Sequence, residues 1–214
     1  IGEELNRARD LFTAVSVDDV FMEALTSESM YHVFCPNDIV KAGLKPLYDV
    51  TGDEFKEIYN QAVELGIGYE IDPKKIWDSI IRSQVESGTP YVFYKDNANK
   101  RNMQDNIGVV GQSNLCIEIM QASKPEYTPQ CTLASVNLAE HDDIKSISKS
   151  VGILVRALNQ VINNNKWSDE WSKKAGEDQR AIAIGVAGLA DFFAKKKISF
   201  ESEEAKEWTE KIFE

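Results

Sequence analysis

Short apolar runs alternate with amphipathic segments along most of the chain, and this alternation limits the possible folds more than any other feature. The clearest helical pattern follows the pair Asp142-Asp143, with apolar residues three and four positions apart from residue 144 to 162. The Asn-rich tract 163–165 ends it. By contrast, Tyr91–Tyr94 has the composition of a strand. Alternating helices and strands predict an α/β fold.

The same rules predict further elements elsewhere in the chain. Start signals and apolar spacing predict helices at 18–25, 53–65, 73–87 and 203–214, the second of them under a capping-box pattern at Thr51. Extended segments are predicted at 31–35, 113–120 and 131–138, with a long irregular loop at 95–112. The run 181–194 is apolar nearly all round, so a helix there would be buried, with its glycines at 185 and 188 allowing close packing.

Composition and charge exclude several classes of protein. With 214 residues, 43% of them apolar, the chain is long enough to bury a core, which excludes a disordered chain. The net charge of −11 argues against a nucleic-acid polymer as partner, although backbone amides can still hold a small nucleotide. Its apolar runs are too short to cross a bilayer, and three cysteines do not resemble a secreted disulfide scaffold. We therefore expect a cytoplasmic protein without a membrane partner.

Both ends of the sequence predict that it belongs to a longer polypeptide. The chain opens at Ile1 rather than Met, and it closes inside the predicted helix at 203–214, where no stop signal follows Ile212.

The segment Ser113–Met120 is the most informative stretch for chemistry. In an extended chain successive side chains point to opposite sides. One side would then carry Asn114, Cys116 and Glu118, and the other Leu115, Ile117 and Ile119. A thiol flanked by an amide and a carboxylate suits a sulfur-centred reaction that needs a hydrogen-bond donor and a base. An ordinary half-buried strand with a polar outer face fits the alternation as well.

The other cysteines allow functional and structural interpretations. Cys131 lies 15 residues beyond Cys116, so the two thiols could face each other across adjacent strands. It is either a redox or relay cysteine or a small buried apolar residue, and spacing does not decide between them. Cys35, before Pro36, is expected to pack in the core. His32 and His141 lack a second ligand at metal spacing, so no metal site is predicted.

The segment Asn114-Leu-Cys116-Ile-Glu118 resembles the Asn-x-Cys-x-Glu active-site motif of the ribonucleotide reductase large, catalytic subunit. Other segments are similar to that family in the same order: 7–12, 19–22, 34–37, 83–91 with 95–97, 131–138, and Arg180 with 184–191. The resemblance covers essentially the whole chain and fits the class I branch best.

By this resemblance, Cys116 would become the thiyl radical that removes hydrogen from the ribose 3′ carbon. Glu118 would take the 3′-hydroxyl proton, and Asn114 would hydrogen-bond the substrate and help the 2′-hydroxyl leave. The whole segment 114–118 would line the substrate site. Cys131 would be one of two thiols that supply reducing equivalents and end as a disulfide.

The resemblance also implies a fold and an assembly. The family fold is a ten-stranded α/β barrel of two half-barrels with the active cysteine on a central finger loop, so residues 1–214 would form a single partial catalytic barrel domain. The implied substrate is a ribonucleoside diphosphate, and the reductant is thioredoxin or glutaredoxin. ATP and deoxynucleotides would act as effectors, and a metal-radical cofactor would reside in a separate small subunit, with no cofactor bound by this chain.

Several family features are absent from these 214 residues. They include the N-terminal regulatory domain, the specificity loops, a Tyr-Tyr pair and a Cys-rich tail. The thiol partner of Cys131 would lie upstream of Ile1, and the chain alone would be inactive without the remaining large-subunit segments. Two alternatives stay open: an adenosylcobalamin-dependent reductase, which shares the cysteine motif, and a non-catalytic barrel module that serves only assembly.

Overall fold

A computed structural model describes residues 11–214, which divide into two compact units, one ending at Ser123 and the other beginning at Lys124. Residues 7–10, part of the first segment similar to the reductase family, lie outside the described residues. Each unit combines helices with paired strands, so the predicted α/β class is confirmed.

The first unit contains two small sheets and five α-helices among its described residues. The strands are β1 (Ala14–Val17), β2 (Tyr31–Val33), β3 (Tyr69–Ile71) and β4 (Tyr91–Tyr94). The helices are α1 (Asp19–Thr26), α2 (Pro36–Lys41), α3 (Gly52–Glu64), α4 (Pro73–Ser87) and α5 (Lys95–Asn99). Strands β2 and β3 pair antiparallel, whereas β1 and β4 pair parallel.

The parallel pair β1 and β4 brings two strand ends together. Val17 lies opposite Tyr94, so the first residues of α1 and α5 emerge side by side at the carboxyl end of the pair. In parallel sheets this edge is where residues from distant parts of the chain can meet.

The predicted helix starts in this unit are largely confirmed. Asp18 caps α1 by accepting a 2.8 Å hydrogen bond from the Phe21 amide, and Asp72 caps α4 by accepting one from the Lys74 amide. The capping box at Thr51 is wrong, because its side chain makes no cap bond to α3. Its hydroxyl instead donates to the buried carboxylate of Asp96.

Two aromatic side chains of α3 belong to a hydrophobic cluster in the core of the first unit. The buried members of this cluster are Val50, Phe55, Ile58 and Tyr59. Cys35 is not among them: it is exposed at the N-cap of α2, so its predicted core position is wrong. Strand β2 ends at Val33 and Pro36 begins α2, so Cys35 lies between these two elements rather than inside the predicted strand.

The second unit places four helices with one parallel pair of strands. The strands are β5 (Thr132–Asn137) and β6 (Ile182–Ala187); the helices are α6 (Ile144–Asn164), α7 (Glu170–Gln179), α8 (Leu189–Lys196) and α9 (Glu203–Phe213). The start of α6 is confirmed, since Asp143 accepts a 2.7 Å hydrogen bond from the Ser146 amide.

The run 181–194 does not form the buried helix that its apolar composition allowed. The run divides into β6 and α8 at Gly188, which has the left-handed φ of +72°. Ile182, Ile184 and Val186 are half-buried and alternate with exposed small residues, which is the pattern of a strand covered on one face. Gly185 therefore lies in a strand rather than at a helix contact.

The core of the second unit forms where α6, α8 and α9 meet the strands. The buried members of the hydrophobic cluster there are Val136, Leu138, Ile147, Phe192, Phe193, Ile198 and Ala205. The Trp208 ring of α9 meets Phe192 edge-on at 5.2 Å between centroids, which is a favoured geometry for aromatic pairs.

Candidate active site

The segment Ser113–Met120 forms a tight turn rather than the predicted strand. The Ile117 amide donates a 3.2 Å hydrogen bond to the Asn114 carbonyl, and Ile117 itself has a left-handed φ of +64°. A β-branched residue adopts this conformation only when its surroundings impose it. The alternating faces predicted for an extended chain are therefore wrong in geometry, although Asn114, Cys116 and Glu118 do lie within one turn.

The carboxamide of Asn114 holds this turn together. Its Oδ1 accepts hydrogen bonds from the Glu118 amide at 3.1 Å and the Ile119 amide at 3.0 Å. A backbone N–H can only donate, so the atom that faces both amides is the oxygen. The two Nδ2 hydrogens of Asn114 are consequently the side chain's donors toward any other group. Asn often replaces backbone partners in turns in this way, which is why alternation of side chains did not produce a strand.

The thiol and the carboxylate of the motif are accessible. Cys116 is exposed, Glu118 is exposed, and Leu115 between Asn114 and Cys116 is 57% exposed. Leu115 thus lies at the surface rather than on the covered side of a half-buried strand. Ile117 is half-buried and lines an open cleft with side chains from β4 and α5, among them Phe93. The cleft anchors one side of the turn while the thiol stays at the surface.

The side chains of Asn99 and Ser16 hold residues 110–111, just before this turn, by hydrogen bonds. Asn99 exchanges hydrogen bonds with Val110: its Nδ2 donates to the Val110 carbonyl and its Oδ1 accepts from the Val110 amide, both at 2.9 Å. The Ser16 hydroxyl donates to the Gly111 carbonyl at 3.3 Å. The predicted irregular loop 95–112 is helical only at its start, where it forms α5. Its far end is held by Asn99 to that helix and by Ser16 to β1.

The sequence did not indicate the group of buried hydrogen bonds around the carboxylate of Asp96. Asp96 is 2% exposed, and its carboxylate accepts from the Asp19 amide at 2.6 Å, the Gly52 amide at 2.7 Å and the Thr51 hydroxyl. Burial by itself would raise the pKa of Asp96, but these hydrogen bonds together with the Lys95 charge outweigh it, so the pKa lies below its usual value. The available signal was the Lys-Asp pair directly after a predicted strand.

Lys95 is buried beside Asp96 and ties down a different segment. Its Nζ donates to the carbonyls of Leu47 at 2.9 Å and Tyr48 at 3.1 Å. Burial lowers the pKa of the Lys95 ammonium, and the Asp96 charge opposes that shift. The pair therefore acts as a structural anchor at the carboxyl end of β4.

Cys131 lies in the second unit and is exposed directly before β5. The prediction that Cys116 and Cys131 occupy adjacent strands is wrong, because Cys116 lies in a turn and β5 pairs with β6. The disulfide role proposed for Cys131 stays a prediction.

A family model, "Ribonucleotide reductase, barrel domain", matches residues 1–214, the entire chain. The chain belongs to the ribonucleotide reductase barrel family. The resemblance first noted at 114–118 is thereby confirmed at the level of the family.

Curated members of other organisms are similar to this barrel-family chain throughout its length. The ribonucleoside-diphosphate reductase large chain 2 of Saccharomyces cerevisiae is 35% identical over the whole chain, which covers 25% of that protein. The large chain of Encephalitozoon cuniculi is 38% identical and the large subunit of vaccinia virus 36%, with 28% of each relative covered. The chain thus spans about a quarter of the length of these relatives.

The described part of this barrel-family chain contains neither a metal-ligating cluster nor a membrane-spanning helix. Within residues 11–214 no cluster of three or more His, Cys, Asp or Glu side chains could hold a metal ion. In the same range, no helix has the length and apolar character needed to cross a bilayer.

Proposed function

We propose that this chain is the central part of the catalytic barrel of a class I ribonucleoside-diphosphate reductase large subunit. The observation that carries the proposal is the family match over the entire chain, together with an Asn-x-Cys-x-Glu motif on one accessible turn. The ten-stranded barrel, with residues 113–119 as its finger loop, belongs to the same proposal. The relatives are named large chains or large subunits, which favours class I over the adenosylcobalamin-dependent class.

Three side chains of the turn divide the proposed chemistry. Cys116, as a thiyl radical generated through the small subunit's metal-radical cofactor, removes the hydrogen at the ribose 3′ carbon. Glu118 takes the proton of the 3′-hydroxyl, which a carboxylate near a polar turn can do as a general base. Asn114 uses its Nδ2 donors toward the substrate, since its Oδ1 accepts from two backbone amides. Its orientation is therefore fixed before the substrate binds, which supports the proposed role.

Cys131 is proposed as one member of the reducing cysteine pair. For each substrate reduced, two thiols lose their hydrogens and join as a disulfide, while the 2′-hydroxyl leaves as water. The exposed position of Cys131 before β5 is compatible with exchange with an external dithiol such as thioredoxin or glutaredoxin. ATP and deoxynucleotide effectors, the remaining large-subunit segments and the small subunit complete the proposed assembly.

The proposal is tested by nucleoside diphosphate reduction in the complete large subunit that contains this chain, combined with its small subunit. We expect deoxynucleotide formation that depends on both subunits. Glu118→Gln is expected to lower kcat by about 10²- to 10⁴-fold, since it removes the base, whereas Glu126→Gln, at an exposed position in the second unit, is expected to leave it unchanged. A complete enzyme without diphosphate reductase activity would contradict the proposal.

The role of Cys131 has a separate test. Cys131→Ser is expected to retain single-turnover product better than a substitution of Cys116 does, yet to fail in thioredoxin-driven multiple turnover. Unchanged multiple turnover would remove Cys131 from the redox pair while leaving the reductase assignment intact.

A further inference from the structure

The turn at 113–119 is held closed mainly by side chains. Within these residues a single backbone hydrogen bond, from the Ile117 amide to the Asn114 carbonyl, closes the turn. The other closing bonds come from Asn114 and from Ser113, which stands immediately before the motif. The left-handed Ile117 therefore keeps its conformation because those two side chains impose it.

Ser113 joins the two ends of this turn. Its hydroxyl donates a 2.7 Å hydrogen bond to the carbonyl of Ile119, six residues further along the chain. The same oxygen lies 3.2 Å from Asn114 Oδ1, so the hydroxyl also borders the carboxamide that holds the amides of Glu118 and Ile119. Cys116 stands midway between the two residues that this bond connects.

We propose that Ser113 is a positioning residue for the reaction at Cys116: its hydroxyl fixes the turn so that the thiol, the Asn114 amide and the Glu118 carboxylate face one substrate together. This inference rests on the proposed reductase function. Ser113 touches no reacting atom and acts only through the turn.

The chemistry of the hydroxyl explains why a serine is suited to this position. The bond to Ile119 needs a short donor on a half-buried residue, which alanine lacks and threonine retains. Without the donor, the base of the turn opens more often, and the bonds from the Glu118 and Ile119 amides to Asn114 open with it. Small displacements of reacting groups reduce rates steeply, by up to about a hundredfold for 1 Å. Substrate binding elsewhere is not affected.

The test uses the complete reductase and measures kcat and KM separately. Ser113→Ala is expected to lower kcat by roughly 10- to 100-fold with KM changed by less than about threefold, and Ser113→Thr to recover most of the lost kcat. Ser79→Ala is the matched control, because Ser79 is an exposed serine of α4 whose hydroxyl also donates to a backbone carbonyl, that of Lys75. It is expected to keep wild-type kcat and KM.

A second measurement does not depend on turnover. Hydrogen exchange of the peptide that contains Glu118 and Ile119 is expected to become roughly fivefold faster in Ser113→Ala, as the loss of one hydrogen bond allows local opening. Ser113→Thr and Ser79→Ala are expected to exchange at the wild-type rate.

The outcomes separate this inference from the proposed function. Faster exchange with wild-type kcat, unchanged exchange, or an alanine defect that threonine does not relieve would each overturn the role of Ser113. A complete wild-type enzyme without reductase activity would overturn the proposed function and this inference with it, while the exchange rates would still show whether Ser113 closes the turn.

Discussion

The Asp96 carboxylate caps α3, which has no side-chain cap of its own, and adds to the Asp18 cap of α1. One carboxylate oxygen accepts the first amide of α1, at Asp19, and the other accepts the first amide of α3, at Gly52. Thr51 adds a hydroxyl donor. A carboxylate that is 2% exposed is stable only when its oxygens are satisfied, and here three donors satisfy them. A single residue thereby fixes the starts of two helices against the end of β4.

Asp96→Asn is expected to lower the free energy of unfolding by about 2–4 kcal/mol. The substitution keeps the shape but places an NH₂ group against a backbone donor, either at Asp19 or at Gly52, and leaves that half-buried amide without its acceptor. Urea unfolding measures the change. Asp105→Asn, at an exposed position of the loop, is the control and is expected to fall within about 0.5 kcal/mol of wild type. Equal stability of the two variants would contradict the assigned role of Asp96.

The lowered pKa of Asp96 also predicts a direction for the pH dependence of stability. Because the folded-state pKa lies below the unfolded value, Asp96 stabilises the protein fully above about pH 4 and loses that contribution as the pH falls through the folded pKa. Unfolding measured from pH 6 down to pH 2 is expected to show a smaller loss of stability in Asp96→Asn than in wild type. An identical acid dependence in both proteins would exclude this contribution.

At the scale of elements, start and stop signals predicted the helices better than apolar spacing predicted the strands. The caps at Asp72 and Asp143, and Gly88 at the end of α4 with φ +78°, lie where the sequence indicated them. They succeed because a cap is a local hydrogen bond. Apolar spacing was misleading at two places because it does not show the interactions that decide the structure. At 113–120, hydrogen bonds to the Asn114 side chain close a turn instead of a strand. At 181–194, the first part of the run pairs in parallel with β5 and is covered on one face, so it forms a strand instead of a helix.

The junction of β6 with α8 depends on a glycine. Gly188 has φ +72°, and a Cβ there would lie 2.6 Å from Asn137 Oδ1. Gly188→Ala is therefore expected to lower the free energy of unfolding by about 1–3 kcal/mol.

The matched control for this change is Gly152→Ala in α6, whose added Cβ would meet nothing closer than the Arg156 side chain at 3.9 Å. Alanine is the better helix former, so this variant is expected to gain about 0.5–1 kcal/mol. Thermal or urea unfolding of both variants measures the contrast. A Gly188→Ala protein as stable as Gly152→Ala would contradict the account of this junction.

Hydrogen bonds of the Asn99 side chain hold the loop that precedes the turn at 113–119. In Asn99→Asp, a carboxylate oxygen replaces the Nδ2 that donates to the carbonyls of Lys95 and Val110, so two hydrogen bonds are replaced by repulsion between oxygens. Cleavage by trypsin after Lys100 or Arg101 is expected to become about tenfold faster. Asn97→Asp, exposed on the same helix, is expected to be cleaved at the wild-type rate. Equal rates would show that Asn99 does not secure the loop.

At the scale of the whole molecule, the sequence indicated the family and the motif, whereas the arrangement of the site required the structure. The residue types at 114–118 suit the proposed chemistry, and they can be read directly from the sequence. The closing bonds of Asn114 and Ser113 depend on backbone angles that no periodicity encodes. Cys116 is exposed in this chain, whereas a thiyl radical needs shelter from water. If the proposed function holds, we expect the remaining segments of the large subunit to cover the turn, since the chain spans only 25% to 28% of its relatives.

The most direct test of the central claim is deoxynucleotide formation by the complete reductase carrying Cys116→Ser, compared with Cys35→Ser. Both residues are exposed cysteines in the first unit, so the pair separates radical chemistry from the general loss of a thiol. We predict no product above background for Cys116→Ser, even in a single turnover, and wild-type product for Cys35→Ser. Turnover that persists in Cys116→Ser would contradict the assignment of the reaction to this turn.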